Sequence, residues 1–317
     1  AASDVYKRQE IGGNHTDHNN GVVLAGSVDL DMVAVVSPNE ENVIRVKSLG
    51  FDKIDDVDVT NLVPQPREAE HSASLIRGVA KGIVDAGGKV GGFDCYTTSN
   101  VLRGSGLSSS AAFEVCIGAI LRGEYNNNDM EKFNQVKIAQ IGQFAENVFF
   151  GKPCGLMDQA AVCLGGLAYM DFEDQAQPKT QKLELNFEDH GYALVLVKVG
   201  ADHVAATDDY AAVPREMQDV AAEFGKARLC EVNVADFDAK LPELRAKLGD
   251  RACLRAVHYW YENGLVDKRW AALNAGDIDQ FLVLTRESGA SSAMYLQNVV
   301  AKLGAEQPSM YALALAE

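Results

Sequence analysis

The chain has 317 residues, 47% of them hydrophobic, and a formal net charge of −16. That length supports one large or two ordinary domains with real cores. The acidic balance, with a pI near 4.8, excludes a nucleic-acid partner held through phosphates, which needs a basic face. No apolar run approaches the roughly eighteen residues of a membrane span, and no basic-then-apolar leader opens the chain, so no membrane partner is expected. The six cysteines, Cys95, Cys116, Cys154, Cys163, Cys230 and Cys253, form no C-x-x-C pair, which argues against a zinc site or a redox motif and fits a reducing cytoplasm.

The first segment, "AASDVYKRQ", does not read as a strand. "EIGGNHTDHNNG" (10–21) then brings Asn14, His15, Thr16 and Asp17 together between glycines. Such groups hydrogen-bond several hydroxyls at once, as a small polyol requires. The competing readings are an Asn-Asn-Gly turn at 19–21, or a metal pair of His15 and His18 that lacks a third ligand. "GVVLAGSVDLDMVAVVSPN" (21–39) and "NVIRVKS" (42–48) are rich in β-branched residues and predict strands of one sheet. In 69–88, Leu75, Val79 and Ile83 share a helical face that ends at paired glycines. "GFDCYTTS" predicts a further strand.

"VLRGSGLSSSAAFEV" (101–115) follows. It contains no Walker-type G-x-x-x-x-G-K-[ST]. Its glycines let backbone N–H groups approach an anion, and a helix starting at the serines points its positive end at the same spot. The plain alternative is a helix start with surplus serine caps. The fixed order of glycines, leucine, serines and then helix formers suits a phosphate cradle better than a linker. The spacing of Phe133, Val136, Ile138, Ile141, Phe144 and Val148 predicts a helix over 130–150, broken by "GKPCGLMDQ". By themselves, Glu146 reads as a solvated helix carboxylate and Asp158 as a cap.

"GGLAYMDF" predicts a strand, and the polar "EDQAQPKTQ" marks a domain junction near 175. Beyond it "KLELNF" and "YALVLVKVG" predict strands, and helices dominate from about Pro214. The class is α+β with domains at 1–175 and 176–317. The final "EQPSMYALALAE" stops inside a helical pattern, so the chain is expected to be a fragment.

"GSGLSSSAA" resembles the phosphate-binding motif of the GHMP kinases, and its triple serine resembles their galactokinase branch. "NHTDHNNG" is similar to that branch's sugar signature G-E-H-T-D-Y-N-x-G, with Asn14 standing for Glu and His18 for Tyr. "AENVFFGKPCGLMDQ" (145–159) resembles A-E-H-x-F-A-G-V-P-C-G-I-M-D-Q almost residue by residue. "KVGADHVAATDDYAAVPREM" partly resembles N-V-x-H-x-L-x-x-S-x-Y-x-x-R-R, matching at His203 and Tyr210. The resemblance covers roughly 10–317.

The resemblance implies a two-domain GHMP-kinase fold, with an N-terminal domain of the ribosomal protein S5 domain 2-like type and an incomplete ferredoxin-like C-terminal domain. It implies transfer of the ATP γ-phosphoryl group to the C1 hydroxyl of galactose, with Mg2+ as cofactor and a monomer or weak oligomer as the working form. Asp158 and Arg8 are the implied catalytic residues. Arg8 stands two residues before Glu10, without the family's preceding P-G. Asn14, His15, Asp17, Gly155 and Tyr210 would bind the sugar, Asp17 on its O3/O4 side and Asn14 at O6. Gly104, Ser105, Gly106, Leu107, Ser108, Ser109 and Ser110 would bind the nucleotide, and Ser110 and Glu146 the metal. Leu102 stands where the family usually has proline. An amide donates as well as accepts, so position 14 leaves the sugar preference open. N-acetylgalactosamine kinase and a silent galactose/ATP-binding regulator are the alternatives; the intact Ser108–Ala112 run speaks against the regulator. The family's final glycine-rich G-x-G-x-G-G motif is not found, so this chain is expected to be weak, unstable or inactive.

Overall fold

The computed structural model describes residues 2–100, 108–195, 197, 199, 207–299 and 307–316. The chain forms two compact units, one of residues 1–9 and 26–166, the other of residues 10–25 and 167–317.

The first unit is a sheet with helices on one face. Strand β1 (Ala2–Gly12) pairs with β2 (Val22–Asn39), and β3 (Val43–Ser48), β4 (Ile54–Asp58) and β5 (Gly92–Ser99) extend the sheet in the order β4-β3-β5-β2. β5 runs antiparallel to β2, with Met32 opposite Ser99 and Asn39 opposite Gly92, and parallel to β3, with Ile44 opposite Phe93. Alternation decides the two faces. Met32, Ala34, Val36, Ile44, Val46, Phe93 and Cys95 are buried, while Val35 and Tyr96 face outward.

Helices α1 (Ser72–Asp85), α2 (Ser109–Tyr125) and α3 (Gln135–Phe144) cover the inner face. Leu75, Val79 and Ile83 of α1 meet Ile117 and Leu121 of α2 and Ile138 and Ile141 of α3 in one core. α4 (Met157–Leu164) packs on α2 and α3.

In the second unit, β6 (Leu167–Asp171) pairs antiparallel with β7 (Lys179–Leu183). The 25-residue α7 (Asp250–Asn274) is its axis, contacted by α5 (Thr207–Ala222), α6 (Val234–Leu248) and α8 (Ile278–Ser291). Val213, Met217, Phe237, Ala256 and Tyr259 close one core, and Leu24, Val266, Trp270, Leu273 and Phe281 another. A last helix, α9 (Pro308–Ala316), carries exposed Tyr311 and Leu315. Among the described residues no helix is long and apolar enough to cross a membrane.

Five sequence expectations need correction. The N-terminal segment is a strand from Ala2 onward, because pairing with β2 supplies a ladder that its mixed composition does not advertise. The helix expected over 130–150 is α3 alone, followed by a π-turn at Ala145–Phe150. In "YALVLVKVG" the described residues form no strand, and Leu194, Val195 and Val197 are exposed; β-branched residues favour a ladder only where a neighbouring strand offers one. Of "KLELNF", Lys182 and Leu183 belong to β7, while Glu184–Asn186 have no regular structure. Helix also begins earlier than Pro214, which lies inside α5.

Candidate active site

In the first unit, two serines at the start of α2 meet two carboxylates from the stretch after α3. Ser108 precedes α2 in a left-handed conformation (φ 55°), uncommon for a residue with a side chain. Its hydroxyl donates to Asp158 Oδ2 at 2.9 Å. Two residues on from Ser108, Ser110 Oγ donates to Glu146 Oε1 at 2.9 Å. Asp158 stands in the first turn of α4, where the free N–H groups of the helix favour a negative charge.

Glu146 is carried by the π-turn, whose wider winding swings residues off the stripe a regular helix would give them. Gly78 of α1 lets this turn come close, since a Cβ there would lie 2.6 Å from the Cβ of Ala145. Behind the pair, Gln159 Nε2 donates at 2.9 Å to both Glu146 Oε2 and Glu114 Oε2. Glu114 and Glu146 are both buried. Burial first, and the neighbouring Glu146 second, hold the Glu114 carboxyl well above the usual carboxylate range. Lys152 Nζ lies 3.3 Å from Glu146 Oε1, the oxygen Ser110 also reaches. Burial likewise pushes the neighbouring Cys154 thiol up, so it stays protonated and unreactive.

In the second unit, the segment after β1 folds around a 3-10 turn at Asp17–Asn19. His15 adopts φ 62°. Its ring stacks on His18 with centroids 5.4 Å apart and meets Tyr210 of α5 at 4.9 Å. Burial, then the charges of His18, His258 and Arg255, push its pKa down to about 3, so His15 is a neutral donor and acceptor. Asp17 is buried, with its Oδ1 3.8 Å from His18 Nε2. Asn14 Nδ2 donates to Ser292 Oγ at 3.0 Å, and the Asn14 carbonyl meets His258 Nε2 at 2.9 Å.

Two family models match the sequence: the GHMP kinases N terminal domain over residues 74–166 and the galactokinase galactose-binding signature over residues 8–38. A galactokinase of Actinobacillus pleuropneumoniae serotype 3 (strain JL03) is 32% identical over 275 residues, which is 86% of this chain and 68% of the relative. The chain belongs to the galactokinases of the GHMP kinase family. Among solved structures, Lactococcus lactis galactokinase complexed with galactose superposes with a TM-score of 0.74 at 22% identity, over 93% of this chain and 76% of that one. Streptococcus pneumoniae phosphomevalonate kinase, in complex with phosphomevalonate and AMPPNP, gives 0.58 at 12% identity, over 94% and 82%. Both likenesses concern the GHMP-kinase fold.

Within this galactokinase chain, two groups of expected site residues come together: Ser108 with Asp158 and Ser110 with Glu146, and separately Asn14, His15 and Asp17 on one segment beside Tyr210. Ser109 is exposed at the first position of α2. Gly155 is half-buried between the π-turn and α4. Gly104, Ser105, Gly106 and Leu107, with Leu102 and His203, lie outside the described residues. Arg8 is on β1, and its side chain is also outside them.

Sequence reasoning missed Glu114, Gln159 and the polar residues of α7. A signal for the last group was present. Arg255, His258, Glu262 and Arg269 fall three, four and seven residues apart, one buried stripe of a helix.

Proposed function

We propose that the chain transfers the γ-phosphoryl group of ATP to the C1 hydroxyl of α-D-galactose, giving galactose 1-phosphate and ADP. The observation that carries this reading is the double pairing of motif serines with carboxylates, Ser108 with Asp158 and Ser110 with Glu146. Phosphoryl transfer asks the protein mainly for positioning and charge stabilisation. Asp158 supplies a carboxylate that orients the attacking hydroxyl and accepts its proton, with Ser108 fixing one oxygen in the meantime. Asn14, His15, Asp17, Tyr210 and Gly155 take the sugar, and the serines with Gly104–Leu107 take the phosphates. Arg8 is assigned to charge on the transferred group.

Mg2+ fits the donor set. Glu146 Oε1 and the Ser110 hydroxyl are hard oxygen ligands, and the Lys152 ammonium already stands 3.3 Å from that carboxylate oxygen, where a cation is favoured. When bound, the metal neutralises phosphate charge. The protein's own part is to keep Glu146 oriented, through Gln159, and to keep Ser110 beside it.

The test is ADP release with ATP and Mg2+ on a panel of galactose, glucose, N-acetylgalactosamine and 6-deoxygalactose, for the wild type and Asp158→Ala. Turnover, weak without the family's glycine-rich motif, is expected on galactose and lost in the variant. A panel without turnover both by this chain and by one supplied with that motif would sink the assignment. Preference for N-acetylgalactosamine would move it to another sugar.

A further inference from the structure

The sugar-signature segment needs outside help to hold its shape. Gly13, His15 and Asn20 all have positive φ, at 94°, 62° and 59°, so the segment cannot lie in a regular ladder. Some of its polar groups are satisfied internally: Thr16 Oγ1 donates to the carbonyls of Gly13 and Val22, and the N–H groups of Asn19 and Gly21 reach the Thr16 carbonyl. Others go to one helix. From α7, Arg269 Nη1 donates to the Ile11 carbonyl at 2.9 Å, Glu262 Oε1 accepts from Gly13 N–H at 3.0 Å, and His258 Nε2 meets the Asn14 carbonyl at 2.9 Å. Tyr259 OH donates to the Asn19 carbonyl at 3.1 Å, and Asn263 Oδ1 accepts from Val22 N–H at 2.9 Å.

These side chains are themselves fixed. Ser288 Oγ and Arg269 Nη2 reach Glu262 Oε1 at 2.8 and 2.6 Å, and Ser291 Oγ meets His258 Nδ1 at 2.8 Å. A carbonyl can only accept, so His258 carries its proton on Nε2 and accepts a hydrogen bond from the Ser291 hydroxyl on Nδ1. The backbone is pressed against the same groups: a Cβ on Gly12 would lie 2.2 Å from Arg269 Nη2. His258, Glu262 and Arg269 are fully buried. Apolar residues would fill that volume at lower desolvation cost, so the polar set suits the task of defining one backbone path.

We propose that this face of α7 is the mould of the sugar-recognition segment, and that His258 and Glu262 are positioning residues for galactose. By holding the Asn14 carbonyl and the Gly13 amide they set where the Asn14, His15 and Asp17 side chains stand. The proposal rests on the reading that this segment binds galactose. Nothing in the sequence motif reaches these residues, which lie more than two hundred positions away.

The experiment compares His258→Leu with His258→Gln, whose amide N–H can replace Nε2–H. Galactose affinity is read by calorimetry without nucleotide, beside KM for galactose, KM for ATP and the melting temperature. His258→Leu is expected to weaken galactose binding about 10–100-fold, the scale of a misplaced site, while KM for ATP stays near the wild-type value. His258→Gln is expected to recover most of the loss. Should His258→Leu fail to fold, Ser291→Ala keeps the packing and removes only the Nδ1 partner, with a smaller loss in the same direction. Wild-type galactose affinity in His258→Leu, or in Ser291→Ala where it stands in, would overturn the proposal, as would equal shifts in both substrates that follow the melting temperature. A wild-type chain that binds ATP but no galactose would overturn the functional reading and this proposal with it.

Discussion

The serine–carboxylate cluster of the first unit and the sugar-signature segment of the second are built in opposite ways. In the cluster the chemistry-bearing side chains bond one another: Ser108 to Asp158, Ser110 to Glu146, and Gln159 to both Glu114 and Glu146. In the signature segment the side chains expected to meet the sugar lie around a backbone whose own groups are held by α7. The first arrangement places atoms directly, and the second places them through a main-chain path. Substitutions should therefore act on rate in the cluster, and on sugar affinity and folding in the segment.

Asp158→Asn is the sharpest break in that comparison. The amide keeps an acceptor for Ser108 but cannot take a proton, so kcat should fall by about 10²–10⁴-fold, with galactose affinity within about threefold of wild type. Steady-state kinetics with calorimetry decides it. A variant that keeps wild-type kcat would remove Asp158 from the reaction.

Arg269→Met attacks the other region. It leaves the buried Glu262 carboxylate without its guanidinium partner and releases the Ile11 carbonyl. Loss of one partner of a buried pair costs about 3–5 kcal/mol, so chemical denaturation should show a large drop in stability. A loss below about 1 kcal/mol, the scale of an exposed pair, would mean that α7 does not hold the segment.

The contrast also explains what was legible in the sequence. The cluster could be read because Ser108, Ser110, Glu146 and Asp158 sit inside contiguous motifs whose order carries the chemistry. β2, β3 and β5 could be read because one face of each is buried, which leaves an alternating pattern. Gln159, though it closes the 145–159 motif, and Glu114, just beyond the serine loop, were hidden because a single Gln and a single Glu look like ordinary helix surface until burial is known. The α7 mould was hidden because its five bonds go to backbone groups, which leave no mark on the segment's side chains beyond glycines such as Gly12, where a Cβ would meet Arg269. β1 was missed, and the described residues of "YALVLVKVG" form no strand despite their composition, because strand formation depends on more than local composition reports.

Acid should separate the two regions. His15 and His258 are both held below the ordinary imidazole range, chiefly by burial, with His18, Arg255 and Glu262 among the charges facing them. A depressed histidine contributes its stability above the unfolded value, near 6.5, and loses it as pH falls toward the folded value, about 3 for His15. Unfolding free energy should therefore decline below pH 6.5, by up to roughly 1.4 kcal/mol per pH unit for each such group. Melting curves from pH 7 to pH 5 should be steeper for the wild type than for His258→Gln. Parallel curves would mean that His258 takes up its proton in the folded state without penalty.

The smallest expected effect returns to the cluster. Lys152 stands where the family pattern has valine, and its ammonium neutralises the Glu146 oxygen that Ser110 also reaches. A divalent ion on that oxygen must displace it. The lysine is more than half exposed, so solvent screens the pair and limits its worth to about 1 kcal/mol or less. Lys152→Val should then tighten binding of a divalent ion in the absence of nucleotide by at most about fivefold. Mn2+ titration followed by electron paramagnetic resonance reads this without turnover. Unchanged or weaker Mn2+ binding in Lys152→Val would show that Glu146 Oε1 is not where the metal is held. Tighter binding would tie the metal to the same oxygen that the cluster's hydrogen bonds already orient.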